Sequence, residues 1–279
     1  MVSLGQRPRT PWNPKDPALK ARFWIDSRLQ RLVTRLPNPW GGAPGYADAA
    51  PTALCSYRSL GFTIVCLLGL AGQMEAAPVA EKSPFPLVDI RAIDPSIIID
   101  LRYAGSNNVA GRPLYRPGTP PLVRPEVAER LVKAQLFLRR YDYSLKIWDA
   151  YRPQSVQIEL WKAAARNNYV ADPHAGAGSM HRWGVAVDAT LVGSHNRPVS
   201  MPTDFDTFTP GAWWLYQGRD PMISEHLRLF QVAMCNAGFY GLPSEWWHFM
   251  VANWNKLLPP NEAKRAVSLF ATARRDRKS

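Results

Sequence analysis

Apolar residues recur at Val127, Leu131, Ala134 and Leu138, in steps of four, three and four, directly after Pro125. This is the stripe that an amphipathic helix buries, and proline suits a first helical turn because its missing N–H has no partner there. A second helix is expected from near Pro153 to about Asn167, and a third with Ile223, Leu227, Phe230 and Met234 on one stripe. Elsewhere the pattern has period two, which predicts strands. Leu145 and Ile147 share a face between Ser144 and Ala150. Val185 and Val187 face one way, as core, while Gly184, Ala186 and Asp188 face the other, and Trp246 to Val251 makes a last strand. Two β-rich segments, Leu87 to Ile93 and Ile97 to Tyr103, flank the Asp94-Pro95 turn, and Asn261 is placed to cap a C-terminal helix. Between these elements lie polar, Gly- or Pro-containing loops: Asn107 to Gly118, the stretch with Gly176 and Gly178, the one with Pro198, Pro202 and Pro210, and Gly238 to Pro243. Helices and strands neither alternate strictly nor repeat. The expected fold class is therefore α+β: a single domain over residues 78–279 with a mainly antiparallel sheet flanked by helices.

Ahead of that domain the patterning disappears. Residues 1–53 are rich in Pro, Arg, Trp and Gly without periodicity, as in a disordered extension or upstream sequence included by a misplaced start. Residues 54–77 differ: Arg58 precedes the uncharged run Leu60 to Gly72, and small residues end at Ala77 before Pro78. These are the parts of a secretory signal peptide, and the run is short of the roughly 20 apolar residues of a membrane span. A short internal anchor is the other reading of the segment. The mature protein is expected to be periplasmic or otherwise exported and without a stable membrane span, or cytoplasmic if the leader does not function.

The formal charge of +12 changes this picture little, because the domain has no dense Lys/Arg run apart from the tail Arg274-Arg275-Asp276-Arg277-Lys278. No nucleic-acid partner is expected from it. Cys235 is the only one of three cysteines beyond the leader region, which excludes a disulfide framework, and its apolar helical neighbours suit a buried, inert thiol.

The candidate chemistry centres on Ser179-Met180-His181-Arg182-Trp183-Gly184-Val185-Ala186-Val187-Asp188, read with Glu245-Trp246-Trp247-His248. His181, Asp188 and His248 offer two imidazoles and a carboxylate, a set that suits zinc. Three protein ligands leave a fourth tetrahedral position for water, as in catalytic rather than structural sites. A turn or bulge at Gly184 would bring His181 to the side of Asp188, and the small Ala186 leaves room for the ion. Glu245, on the loop entering the last strand, is placed to act as base. His174, His195 and His226 read as ordinary core or surface histidines.

The pattern Ser-x-His-x-x-Gly-x-Ala-x-Asp followed by Glu-Trp-Trp-His resembles the zinc D-Ala-D-Ala peptidases, specifically the VanX-type D-alanyl-D-alanine dipeptidases. Asp100-Leu101-Arg102-Tyr103-Ala104, Asp149-Ala150-Tyr151-Arg152-Pro153-Gln154 and Met201-Pro202-Thr203-Asp204-Phe205-Asp206 look like further family landmarks, in family order, so the likeness spans roughly residues 85–255. The extension, the leader and Pro202, where the family usually has glycine, depart from it. The resemblance implies a D-Ala-D-Ala peptidase/hedgehog-like fold with a zinc site on the sheet and one Zn2+ per chain, bound by His181, Asp188 and His248. It also implies Glu245 as general base, Arg152 as the catalytic arginine that steadies the oxyanion, and Ser179, Tyr103 and Asp206 as residues holding the dipeptide. Asp206 would pair with the substrate ammonium, with Asp204 close enough in sequence to exchange that role. Structural alternatives stand beside these roles: Glu245 as partner of a histidine ligand, Arg152 as a buried ion pair. Trp246 and Trp247 read as packing residues, one of which could wall the pocket.

The implied reaction is hydrolysis of D-alanyl-D-alanine or a similar small D-dipeptide in cell-wall peptide turnover. A peptidoglycan carboxypeptidase or endopeptidase of the same superfamily is the competing enzyme, and a non-catalytic zinc-binding domain the competing class. The second has no use for Glu245 and Arg152 together. For the leader, the expected outcome is that residues 54–77, fused to a reporter, carry it across the inner membrane and are cleaved near Ala77; an uncleaved, cytoplasmic reporter rules export out.

Overall fold

The computed structural model describes residues 83–164 and 169–275. The expected extension and leader, and Asn167 with the end proposed for the second helix, lie outside them. The described elements run β1 (Val88–Asp89), α1 (Ile90–Ile93), β2 (Ile98–Ile99), β3 (Leu122–Val123), α2 (Pro125–Arg139), β4 (Ser144–Asp149), α3 (Gln154–Ala163), β5 (Ala186–Val192), α4 (Pro221–Asn236), β6 (Phe239–Leu242), β7 (Glu245–Val251), α5 (Trp254–Leu257) and α6 (Pro260–Arg275). Five strands form one sheet in the order β2-β4-β5-β7-β6, and β1 pairs with β3 apart from it. Only the β2–β4 pair of the larger sheet is parallel; its other pairs are antiparallel, as expected for an α+β fold.

The helices form where the stripes place them. Val127, Leu131, Ala134 and Leu138 are buried on α2, which packs against α4 and β4. Phe249 on β7 lies opposite Val187 on β5, and its ring meets Phe230 of α4 at 5.0 Å between centroids. One buried polar residue ties these parts together. Gln135 on α2 accepts from the Leu145 N–H at 2.7 Å and donates to the Ser96 carbonyl at 3.1 Å, so the start of β4 and the turn before β2 are held to the helix. A buried amide is tolerated because both its ends are bonded.

Five expectations are corrected. The segment Leu87 to Ile93 is only briefly a strand, because the Asp89 carboxylate accepts from the Arg91 N–H and caps a helical turn from Ile90. The segment Ile97 to Tyr103 holds only the two residues of β2 and then passes into a 3-10 turn, Arg102–Ala104. Pro153 is the N-cap of α3 rather than part of its first turn, and Asn261 lies inside the first turn of α6, after Pro260. Glu245 is the first residue of β7, not part of the loop before it.

The element that matters most to the site is a 3-10 turn over Met180–Trp183. Ser179 opens it by accepting from the His181 N–H at 3.3 Å, and Gly184 closes it in the left-handed region at φ 63°. So a turn, not a bulge, brings His181 round to β5. A Cβ on Gly184 would meet Leu87 Cδ2 at 2.8 Å, so conformation and space both favour glycine here. Gly184→Ala is expected to cost about 1–3 kcal/mol, read as a lowered urea midpoint of the metal-free protein, where bound ion does not mask the loss.

Candidate active site

Strand register assembles the site. Asp188 on β5 lies directly opposite His248 on β7, and on its other side opposite Asp149 at the end of β4, where the pairing shifts register. The 3-10 turn then delivers His181 to the same place. His181 Nδ1 lies 2.8 Å from the Ala150 carbonyl oxygen, which can only accept, so Nδ1 carries a proton and Nε2 is the nitrogen that faces inward.

Three donor atoms converge there. His248 Nδ1 is 2.9 Å from Asp188 Oδ1, His181 Nε2 is 3.2 Å from His248 Nδ1, and His181 Nε2 is 3.3 Å from Asp188 Oδ1. Ligands at roughly 2.0–2.1 Å from a tetrahedral zinc are separated by about 3.3 Å, so the triangle has the dimensions of one face of such a site. All three residues are buried, and His181 Nε2 meets a ring nitrogen and a carboxylate oxygen at once. The set fits zinc. Burial pushes the Asp188 carboxyl up, but the His181 and His248 imidazoles outweigh this and hold it well below the ordinary carboxylate range.

Around the triangle lies a cavity of about 140 Å³. Glu245, Arg152, Tyr103, Ser179 and Asp206 all line it, together with the three donor residues, so every residue singled out in the sequence for a role arrives in one place. Burial, followed by the charges of Asp188 and Asp206, raises the Glu245 carboxyl well above its ordinary value. Burial likewise pushes Asp206 up to about 7. Tyr103 donates to Asp206 Oδ1 at 3.3 Å, and the Val109 N–H donates to Oδ2 at 3.0 Å. Asp204 points elsewhere: its side chain is 66% exposed and faces Arg102. Of the two aspartates, Asp206 is the one that lines the cavity. Ser179 both lines the cavity and caps the turn that carries His181. Trp247 walls the cavity, whereas Trp246 is packed away with its indole N–H donating to Thr203 Oγ1 at 3.0 Å.

Arg152 is buried and firmly held. Its Nε and Nη2 donate to Asp149 Oδ2 at 2.9 and 2.6 Å, and Nη1 donates to Gln157 Oε1 at 2.8 Å. Nη1 and Nη2 each retain a second N–H, and Nη2 lies 3.5 Å from Asp188 Oδ2. The Tyr103 ring packs under the guanidinium at 4.7 Å. Asp149, Gln157 and Tyr115 are the residues to which the sequence reading assigned no role. Asp149 is fully buried, touches His181 Nδ1 at 3.2 Å, and accepts the Tyr115 hydroxyl, so it braces a donor histidine and Arg152 together. Its sequence signal is the carboxylate three residues ahead of Arg152; Tyr115, in a loop, has none. His174, His195, His226 and Cys235 stay outside the cavity, and burial raises the Cys235 thiol to about 11.

The family model for Peptidase_M15, described as D-ala-D-ala dipeptidase, matches residues 84–260. The chain belongs to this family, and by class it is a zinc metallopeptidase. Among individual relatives, it is 33% identical over 163 residues to a D-alanyl-D-alanine dipeptidase of Escherichia coli (strain K12), covering 58% of this chain and 83% of the relative. A D-alanyl-D-alanine dipeptidase of Enterococcus faecium is 26% identical over 170 residues, covering 54% and 84%. A crystal structure of a vancomycin-resistance D,D-pentapeptidase, VanY, in complex with Zn(II) overlaps 51% of this chain and 80% of its own, at 15% identity and a TM-score of 0.33. An overlap that slight leaves the fold to be read from the chain's own topology.

The donor triangle makes a direct prediction. Purified protein should carry about one zinc per chain by elemental analysis, His248→Ala should lose it, and Asp206→Ala should keep it. Full zinc in the His248 variant would remove that residue from the ligand set.

Proposed function

We propose that the cavity hydrolyses D-alanyl-D-alanine, or a closely similar D-dipeptide, to free amino acids. One observation carries the reading: donor triangle, buried carboxylic acid, fixed guanidinium and second carboxylate line a single cavity of about 140 Å³. At roughly 10–15 Å³ per water-sized group, that is room on the order of the non-hydrogen atoms of a dipeptide of two alanines.

The charges support the same ligand. Asp188, Asp206 and Glu245 line the cavity with Arg152, whose own charge is met by Asp149 behind it. This acidic surplus suits a divalent cation at His181, Asp188 and His248 and a substrate ammonium at Asp206. When bound, zinc supplies Lewis acidity, polarising the scissile carbonyl and making water a better nucleophile at neutral pH. Glu245 takes the proton from the attacking water and hands it to the departing amine; its raised pKa suits it to carry that proton between the two. Arg152, held by Asp149 and Gln157, turns its remaining N–H groups to the oxyanion as the carbonyl becomes tetrahedral. Asp206, with Tyr103 and Val109 holding its oxygens, fixes the ammonium, and Ser179 lines the wall beside His181.

The setting of the reaction rests on sequence. The leader pattern of residues 54–77 favours an exported enzyme that scavenges cell-wall dipeptides over one meeting a cytoplasmic pool. Among the described residues no helix is long and apolar enough to cross a membrane. The reading gives the basic balance of the chain no nucleic-acid role.

Two measurements test the chemistry. Glu245→Gln should keep its zinc and lose at least ~100-fold in kcat on D-Ala-D-Ala; zinc loss with recovery on added zinc would make Glu245 a supporting residue instead. N-acetylation of the substrate removes the ammonium and leaves the Asp206 carboxylate unpaired, so the acetylated dipeptide should be cleaved at least ~1,000-fold less well. Asp206→Ala should narrow that gap. Equal cleavage of both substrates by the wild type would point to a wall-trimming peptidase.

A further inference from the structure

A pair of aromatic rings from separate segments forms part of the cavity wall. Tyr169, ahead of the 3-10 turn, and Phe208, on the loop after Asp206, stack with centroids 4.9 Å apart and planes inclined by 14°. Both line the cavity and both are half-buried. Phe208 continues inward to Trp247, at 6.4 Å, on the strand that carries Glu245 and His248. Its position relative to Asp206 is set by backbone: the Phe208 N–H donates to the Asp206 carbonyl at 3.1 Å, and Asp206 itself holds a left-handed φ of 54°. Ring and carboxylate therefore rise from one tight turn, and a group seated on the Asp206 carboxylate lies close to the ring.

We infer that the Tyr169–Phe208 stack is the size filter for the first residue of the substrate. The inference rests on the dipeptidase reading, in which Asp206 holds the substrate ammonium. The residue bearing that ammonium then has its side chain against the stacked rings, and the small D-alanine methyl is what they accommodate. Neither ring is needed for proton transfer or for charge, so their contribution is steric and apolar. A contact of this kind discriminates by fit, at roughly 10–200-fold for a methylene-sized difference. The second residue of the dipeptide lies across the scissile bond from Asp206, away from the turn that carries Phe208, so its size is set by other parts of the wall.

The test compares D-Ala-D-Ala, D-Phe-D-Ala and D-Ala-D-Phe on the full zinc-loaded chain and on its Tyr169→Ala, Phe208→Ala and Tyr169→Phe variants. The ratio of kcat/KM for D-Phe-D-Ala to that for D-Ala-D-Ala should rise at least ~10-fold in either alanine variant. It should keep its wild-type value in Tyr169→Phe, which retains the ring, and the D-Ala-D-Phe ratio should stay nearly constant throughout. The same preference is read without turnover, as calorimetric affinities of the Glu245→Gln protein with and without Tyr169→Ala. If removing the rings leaves the D-Phe-D-Ala preference unchanged in these affinities, or raises both bulky dipeptides alike, the inference is overturned. Failure of the wild type to cleave D-Ala-D-Ala would instead overturn the dipeptidase reading, while the affinities still decide the role of the rings.

Discussion

The structure turns on burying the Asp188 carboxylate at the centre of the site. A carboxylate that is 3% exposed is costly to bury unless opposite charge and hydrogen-bond donors surround it. Here His181 and His248 meet one of its oxygens and Arg152 approaches the other. Arg152 is itself buried and needs its own counter-charge, which Asp149 supplies. Each buried charge thus requires the next. The acid left over at Glu245 and Asp206 responds in the opposite sense, with both carboxyls pushed up by burial. One carboxylate is thus held below its ordinary range and two others are raised above theirs, by environment alone.

That arrangement depends on strand register more than on any single bond. Asp149, Asp188 and His248 sit side by side on three neighbouring strands, and a slip of one residue would turn each side chain to the other face of the sheet. The packing on the far face resists such a slip: Leu145, Ile147, Val187 and Phe249 are all fully buried, with Phe230 of α4 against Phe249. Gln135 adds a polar lock at the start of β4. The hydrophobic core and the polar site are in this sense the two faces of one constraint.

The loop that brings Asp206 to the cavity is secured separately. Trp214 lies over Gly241, where any Cβ would overlap its ring; its N–H donates to the Pro243 carbonyl at 2.9 Å, and its own carbonyl accepts from Gln231 at 2.7 Å. Near the other end of the loop Thr203 receives the Trp246 indole N–H. These ties hold a long connection against strands β6 and β7 without making it a regular element, and so allow it to present Asp206 and Phe208 with fixed geometry.

Much of this was legible in the sequence, for reasons that are local. The stripes of α2 and α4 and the alternation of β5 are periodic signals, and periodicity survives without knowledge of neighbours. The donor set was legible through the resemblance carried by the whole pattern Ser-x-His-x-x-Gly-x-Ala-x-Asp followed by Glu-Trp-Trp-His, since a histidine and an aspartate seven residues apart say little alone. Where local signals conflicted they misled: the apolar residues Leu87 to Ile93 suggested a strand, but the Asp89 cap favours a helical turn. Other features were set only by tertiary structure. That Asp206 and not Asp204 faces the cavity depends on a backbone turn with positive φ, which spacing does not encode. That Asp149 and Tyr115 brace Arg152, and that Tyr169 meets Phe208, depends on segments far apart in the chain being folded together. Sequence by itself pointed to the donor residues and to Glu245, Arg152, Tyr103, Ser179 and Asp206; the register of β4, β5 and β7 and the path of the Asp206 loop decided which atoms meet and which further residues join them, because contacts between distant segments leave no periodic trace along the chain.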